Sequence, residues 1–238
     1  MPKMYAMIGN SATQIKKRYA MIGNTATEIK KRYAMIDNTA TLVFQSGEYD
    51  QLEYIQTTGT QYIDTDIAVF NQTNLEIHYI AALTAVNYNY NNLWSNCSGE
   101  EIPQGWVYST AMVAYKWGDI TPKTPEGTAN TSKHTYKFVK KGTTISNVVD
   151  STTHQTETAS ASYNYKLRLF ASKNLSSYGK AKVYGVKIYV GGTLKYDLVP
   201  AKRKSDGVLG LRDVVNKKFY TNNGSGTFGA GSVVGTIE

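Results

Sequence analysis

Two aspartates stand two residues apart in QYIDTDI (61–67), Asp64 and Asp66. Alternate residues of a strand share a face, so both carboxylates would project to the same side. Paired carboxylates are what hydrolysis of a glycosidic bond requires. The rest of the chain lends them little support. Glu100 and Glu101 are adjacent and on a strand would face opposite ways. His78, His134 and His154 lack metal-ligand spacing. The single cysteine, Cys97, excludes an intramolecular disulfide framework and a Cys-rich zinc site, and reads as a reduced thiol. The two aspartates therefore read as strand-end or turn residues. No catalytic residues, bound metal or cofactor are expected, and the protein reads as not an enzyme.

Binding chemistry is better represented. The stretch NYNYNNLWSNCSGEEIPQGWVYSTAMVAYKWGD (87–119) sets tyrosines and tryptophans among amides and hydroxyls. Sugars stack their apolar faces on aromatic rings and exchange hydrogen bonds with amides. The same composition also suits an adaptable protein-binding surface. Tyr88, Asn89, Tyr90, Asn91 and Asn92 read as an exposed loop, and with Trp94 they form the candidate glycan- or partner-binding site. Trp106 and Trp117 fall within strand-like runs and read as core residues.

The elements that must position these residues are strands. Nineteen Tyr, 20 Gly and only five Pro, with many Thr and Asn, describe an all-β chain rather than a helical one. Its 238 residues suffice for a substantial core. No apolar run is long enough to cross a bilayer, so no membrane insertion is expected. Strand-like segments include LEYIQ (52–56), QYIDTDI (61–67), TNLEIHYIAAL (73–83), GWVYSTAMVAYKW (105–117), HTYKFVKK (134–141), TTISNVV (143–149), YKLRLFAS (165–172), KAKVYGVKIYVGG (180–192) and TLKYDLVPA (193–201). Turn residues between them suggest a sandwich. This body is expected to span 52–238, after a polar linker at 46–51.

Residues 1–45 are a different kind of sequence. MYAMIGNSATQIKK, RYAMIGNTATEIKK and RYAMIDNTATLVFQ repeat with a period of 14, read from Tyr5 to Tyr19 to Tyr33. Ile8, Ala12, Ile15, Tyr19, Ile22 and their successors keep a 4,3 spacing that suits a coiled coil. Gly-Asn or Asp-Asn followed by Ser/Thr-Ala-Thr opposes a helix in every unit and favours tight turns between strands. The β reading is preferred, with turns at Gly9-Asn10, Gly23-Asn24 and Asp37-Asn38 joined by long strands. Seven basic and two acidic residues give this arm +5 of the net +8. Lys16, Lys17, Arg18, Lys30, Lys31 and Arg32 carry most of it and are the candidate attachment residues. Without interleaved base-reading features the run reads as a solvated face, and nucleic acid is not an expected partner. An arm this small buries little alone, so it is expected to associate with copies of itself, a homotrimer being the natural number.

The repeat resembles the short tandem repeats of phage and prophage structural proteins of Gram-positive bacteria. The body resembles concanavalin A-like, laminin-G-type jelly rolls. That likeness rests on EYIQTTGTQYIDTDI (53–67), HTYKFVKKGTTI (134–145), YKLRLFASKN (165–174) and the long C-terminal string from Gly179 to Gly231. Catalytic relatives of that fold carry Glu-x-Asp-x-x-Glu on one strand, which this chain lacks. Related lectins use calcium, yet no Asp-rich loop with ligand spacing occurs here. The resemblances imply an all-β protein with a repetitive β arm followed by a concanavalin A-like jelly-roll sandwich. They imply a phage virion surface protein of tail-fibre or receptor-binding type. Its arm would dock on other virion proteins and its lectin-like domain would bind host-surface carbohydrate. A capsid-attached head fibre or decoration protein, and a bacterial glycan-binding module, are the alternatives. The N-terminus shows no charged-then-apolar export signal, which agrees with release in a virion after synthesis in the host cytoplasm.

Overall fold

The structure, a computed structural model, describes residues 47–86, 91–97, 103–107, 114–117 and 129–238, together with the strand pairing of parts of residues 5–45. Every regular element among the described residues is a β-strand, and every ladder is antiparallel. In the repeats, Tyr5–Ile8 (β1) pairs with Ser11–Gln14 (β2), Tyr19–Ile22 (β3) with Thr25–Glu28 (β4), and Lys31–Ile36 (β5) with Thr39–Gln45 (β6). Ile8 faces Ser11, Ile22 faces Thr25 and Ile36 faces Thr39. Each ladder therefore stays inside one repeat, where longer strands joining successive units were expected. The intervening dipeptides, read as turns, lie outside the described residues.

The body begins with Tyr49–Leu52 (β7), Ile55–Gln56 (β8), Ile63–Ala68 (β9) and Asn74–Leu83 (β10). It continues through Asn91–Asn96 (β11), Gln104–Val107 (β12), Ala114–Lys116 (β13) and Lys133–Lys141 (β14). Thr144–Val149 (β15), Thr152–Thr158 (β16), Lys166–Leu169 (β17) and Ala181–Val190 (β18) follow. Thr193–Arg203 (β19), Leu209–Asp213 (β20), Lys218–Thr221 (β21), Gly229–Ala230 (β22) and Val233–Ile237 (β23) complete it.

Two sheets result. The larger runs β16-β15-β14-β10-β18-β19-β20-β21, with β8 and β22 alongside β18, and β7 and β23 alongside β19. The smaller runs β13-β12-β11-β17-β9. Alternation decides which side chains meet between them. Leu75, Ile77 and Tyr79 of β10, Tyr136 and Phe138 of β14, and Val183 and Ile188 of β18 are all buried. Opposite them lie Ile63 and Ile67 of β9, Trp94 of β11, Val107 of β12, and Leu167 and Leu169 of β17. Aromatic rings join the layers. Phe138 stacks on Trp117 with centroids 5.1 Å apart and meets Trp94 edge-on at 5.2 Å. Each such pair contributes about 0.5–1.5 kcal/mol beyond its buried area. This face-to-face arrangement is that of a β-sandwich.

Three readings of the sequence are corrected. Residues 49–51 of the expected linker belong to β7. Tyr49 is buried there against Phe219, with ring centroids 4.9 Å apart, and so anchors the strand to the body. The run 105–117 is two antiparallel strands, β12 and β13, paired from Gln104↔Lys116 to Trp106↔Ala114. Asn91 and Asn92 are not in an exposed loop but in β11, where both are buried.

Two of the strings that carry the likeness to jelly rolls, the first and the last, are bonded to each other. Asn222 and Asn223 accept through Oδ1 from the backbone N–H of Tyr62 and Asp64, at 3.2 and 2.8 Å. Buried Gln61 accepts from the Thr58 N–H at 2.8 Å and donates to the Thr227 carbonyl at 3.2 Å. Gly224 fits this seam because any Cβ there would lie 2.1 Å from the Thr60 carbonyl oxygen. These amides are thus backbone staples, since a side-chain amide can satisfy a strand edge where no ladder partner is in register.

Candidate functional site

On the outer face of the smaller sheet is a cavity of about 200 Å³. Asn92, Gln104 and Trp106 form its floor and Ser172, Lys173, Asn174, Ser176 and Ser177 its wall. The register explains the floor. Asn92 pairs with Trp106 and Ser95 with Gln104, so these side chains share one face of the β11–β12 ladder. Trp94, one position off through a bulge, pairs with Gly105 and turns inward. Its indole occupies the space above Gly105, where a Cβ would lie 2.5 Å from the indole nitrogen.

The wall is a short loop closed by the Ala171↔Tyr178 bridge. Ser172 Oγ accepts from the N–H groups of Ser176 and Ser177, both at 3.1 Å, and Ser176 Oγ donates to Asn174 Oδ1 at 2.6 Å. Leu175 at its tip has φ of 57°, and Phe170 before it has φ of 71°. Such backbone costs about 1–3 kcal/mol per non-glycine residue and persists where surroundings over-determine it. Here the surroundings are the serine–asparagine bonds and the buried Phe170 ring, which meets Tyr79 edge-on at 6.1 Å.

Arg168 ties this loop to the sheet. Its Nη1 donates to the Lys173 carbonyl at 2.6 Å, while Nε and Nη2 grip the Asp64 carboxylate at 2.5 and 2.9 Å. The guanidinium also lies 5.0 Å from the Tyr62 ring centroid. Burial opposes its charge, but hydrogen bonding and attraction from Asp64 outweigh that and raise its pKa. Cys97 is half-buried and donates to Asp64 Oδ1 at 3.4 Å. Burial, reinforced by the Asp64 charge, pushes its thiol up to about 11, so at neutral pH it is not a thiolate nucleophile.

The cavity presents side-chain amides, hydroxyls, one indole and one ammonium, with no carboxylate in its lining. Asn92 is buried, and its side-chain amide and that of Gln104 make no hydrogen bond to another described residue. Such a set can bind a neutral polyol by exchange of hydrogen bonds against an aromatic surface. Of the acids considered from sequence, Glu100 and Glu101 lie outside the described residues, and Asp64 and Asp66 lie away from the cavity. Asp64 is held by Arg168, and Asp66 accepts from the Tyr220 hydroxyl at 2.7 Å and pairs with Lys218. The hydrogen bonds from Lys218 and Tyr220 lower its pKa. Among the described residues no cluster of His, Cys, Asp and Glu could hold a metal ion.

Of the expected binding residues, Asn92 lines the cavity. Asn91 is buried away from it, donating to the Ala85 carbonyl at 3.3 Å and accepting from the Lys180 N–H at 3.0 Å. Trp94 is a core residue, stacked on Phe70 at 5.6 Å. Tyr88, Asn89 and Tyr90 lie outside the described residues, as do Lys16, Lys17, Arg18 and Lys30 of the arm. Lys31 and Arg32 are described only by their strand pairing in β5. Trp117 is in the core as expected, whereas Trp106 is buried outside the apolar core and lines the cavity. The 172–177 loop was not anticipated, although its string SKNLSS has the hydroxyl and amide composition of a binding loop. No protein-family model matches this chain, and no curated protein matches it.

Proposed function

We propose that the body is a carbohydrate-binding domain of concanavalin A-like jelly-roll type, displayed on a phage virion surface protein of tail-fibre class. The observation that carries the binding part is the cavity beneath the 172–177 loop. It combines an indole, three side-chain amides and several hydroxyls at the scale of one sugar ring. A site that orders its own wall by internal hydrogen bonds loses little freedom when a ligand arrives, which favours affinity from few contacts. The role is recognition, not bond cleavage. The virion part rests on the resemblance of the three repeats to those of phage structural proteins. On this reading the arm assembles the protein, as a homotrimer, on other virion proteins through its lysine and arginine clusters, and the body faces the host.

A glycan array probed with the full chain tests the binding reading. Binding of a neutral glycan should be lost in Gln104→Ala and weakened in Trp106→Phe, with the folded state retained. Absence of any bound glycan, or unchanged binding by both variants, overturns it. Localisation in purified particles by immunogold labelling tests the virion part separately.

A further inference from the structure

The outward face of the larger sheet has a different character from the cavity. Lys133, Lys137 and Lys141 project from it at every fourth residue of β14. Lys182 and Lys187 project from β18 across β10, because Lys182 shares the Ala82 row with Lys133, and Lys187 shares the His78 row with Lys137. Three acids oppose these five cations. Asp197 accepts from Lys187 Nζ at 2.7 Å, and Glu76 is bonded to His78 at 2.9 Å. Asp150, which is bonded to His134, also attracts Lys137, while Lys133, Lys141 and Lys182 form no ion pair with a carboxylate among the described residues. Beside Lys137 and Lys141 the face is hollowed into a groove of about 340 Å³. Val139 and Val148 give it an apolar floor, Thr144, Ser146 and Thr153 give it hydroxyls, and Glu76, engaged by His78, is the one carboxylate in its lining.

We infer that this face binds a linear anionic polysaccharide. Side chains four apart on a strand are separated by about 13 Å. A row at that interval suits a polymer with charges repeated along its length, not a single phosphate. The tyrosines of the face favour this polymer over single-stranded nucleic acid. Lys133 already covers the Tyr184 ring at 4.2 Å, Lys182 covers Tyr54 at 4.7 Å, and His78 lies 4.9 Å from Tyr189. Rings capped in this way are poor platforms for bases, which single-strand binders stack on open aromatic faces. Lys133 and Lys182, pinned on rings, instead fix positive charge at one end of the face, and Lys137 and Lys141 continue it along the groove. The site is separate from the cavity on the other sheet, so it stands or falls independently of the neutral-glycan reading.

Fluorescence anisotropy with the full chain and labelled dextran sulfate, neutral dextran and a dT20 oligonucleotide tests it. Dextran sulfate should bind, neutral dextran should not, and affinity should fall steeply with salt as counterions are released. Lys137→Glu/Lys141→Glu should weaken binding at least ~tenfold, a change of about 1.4 kcal/mol. Lys137→Gln/Lys141→Gln should weaken it less, and guards against loss of fold in the charge-reversed variant. Lys166→Glu/Lys217→Glu changes net charge equally away from this face and should leave binding unchanged. Four results each overturn the inference: no binding of dextran sulfate, wild-type binding by both face variants, equal loss in the control variant, or dT20 binding as tightly as dextran sulfate.

Discussion

Replacing Arg168 with methionine keeps the length and apolar stem of the side chain and removes its fork of donors. The arginine side chain is 8% exposed and that of Asp64 34%. Breaking a fully buried ion pair costs about 3–5 kcal/mol, because the survivor is left charged and dry. Asp64 recovers part of its hydration through its exposed third, which brings this contribution to about 2 kcal/mol. Loss of the charge-assisted bond to the Lys173 carbonyl and of the contact with Tyr62 adds about 1–2 kcal/mol. The total expected is about 3–4 kcal/mol. With a urea m-value of about 2 kcal/mol/M, the unfolding midpoint should fall by about 1.5–2 M. Asp64→Asn alone should cost less, and the double variant should fall short of the sum by about 1–2 kcal/mol, the coupling of the pair. Hydrogen exchange of the Ser176, Ser177 and Gly179 amides should accelerate in Arg168→Met before global unfolding, because the loop loses its tether to the sheet. A midpoint shift below about 0.3 M, or strictly additive variants, would show that the guanidinium is not the link between β9, β17 and the cavity wall.

Gly105→Ala should lower stability by about 2–3 kcal/mol, since the new methyl meets the Trp94 indole at 2.5 Å across a packed core; a fall in melting temperature with altered Trp fluorescence is the check. Cys97 should react slowly with iodoacetamide at pH 8 and accelerate as pH approaches its value of about 11. Asp64→Asn should shift that profile to lower pH, because removal of the neighbouring negative charge favours the thiolate; an unchanged or upward shift contradicts the assignment. A protein of residues 47–238 should fold as a monomer while the full chain is oligomeric by light scattering, and an oligomeric truncation would place assembly in the body.

Alternation made much of the body legible. In HTYKFVKK the inward set Tyr136 and Phe138 and the outward set Lys137 and Val139 follow directly from period two. The same period sends Lys140 inward, where its amine donates to the Gln72 carbonyl at 3.0 Å and lies 5.1 Å from the Trp117 ring centroid. Burial lowers its pKa. β11 was hidden because NNLWSN has the composition of a loop, and Asn91 is buried with bonds to Ala85 and Lys180, which no local pattern announces. The same difficulty concealed the cavity. Its floor comes from β11 and β12 and its wall from residues some 70 positions later, brought together by the β11–β17 ladder. Trp106 looked like a core residue because burial and core membership coincide for most tryptophans in strands. Alternation along β12 sets Gly105 and Val107 against the other sheet and turns Trp106 to the opposite face, where it lines the cavity.

The placement of β7 bears on how the body is held. Its residues 49–51 pair with Arg203, Lys202 and Ala201 of β19 on one edge and with Ile237, Thr236 and Gly235 of β23 on the other. Tension applied through residue 47 therefore runs along a strand clasped on both sides. Antiparallel ladders pulled lengthwise resist in shear, with their hydrogen bonds loaded together, whereas a strand peeled from a free edge gives way one bond at a time. The body thus meets a pull from its N-terminal side with a mechanical clamp, which β23 completes.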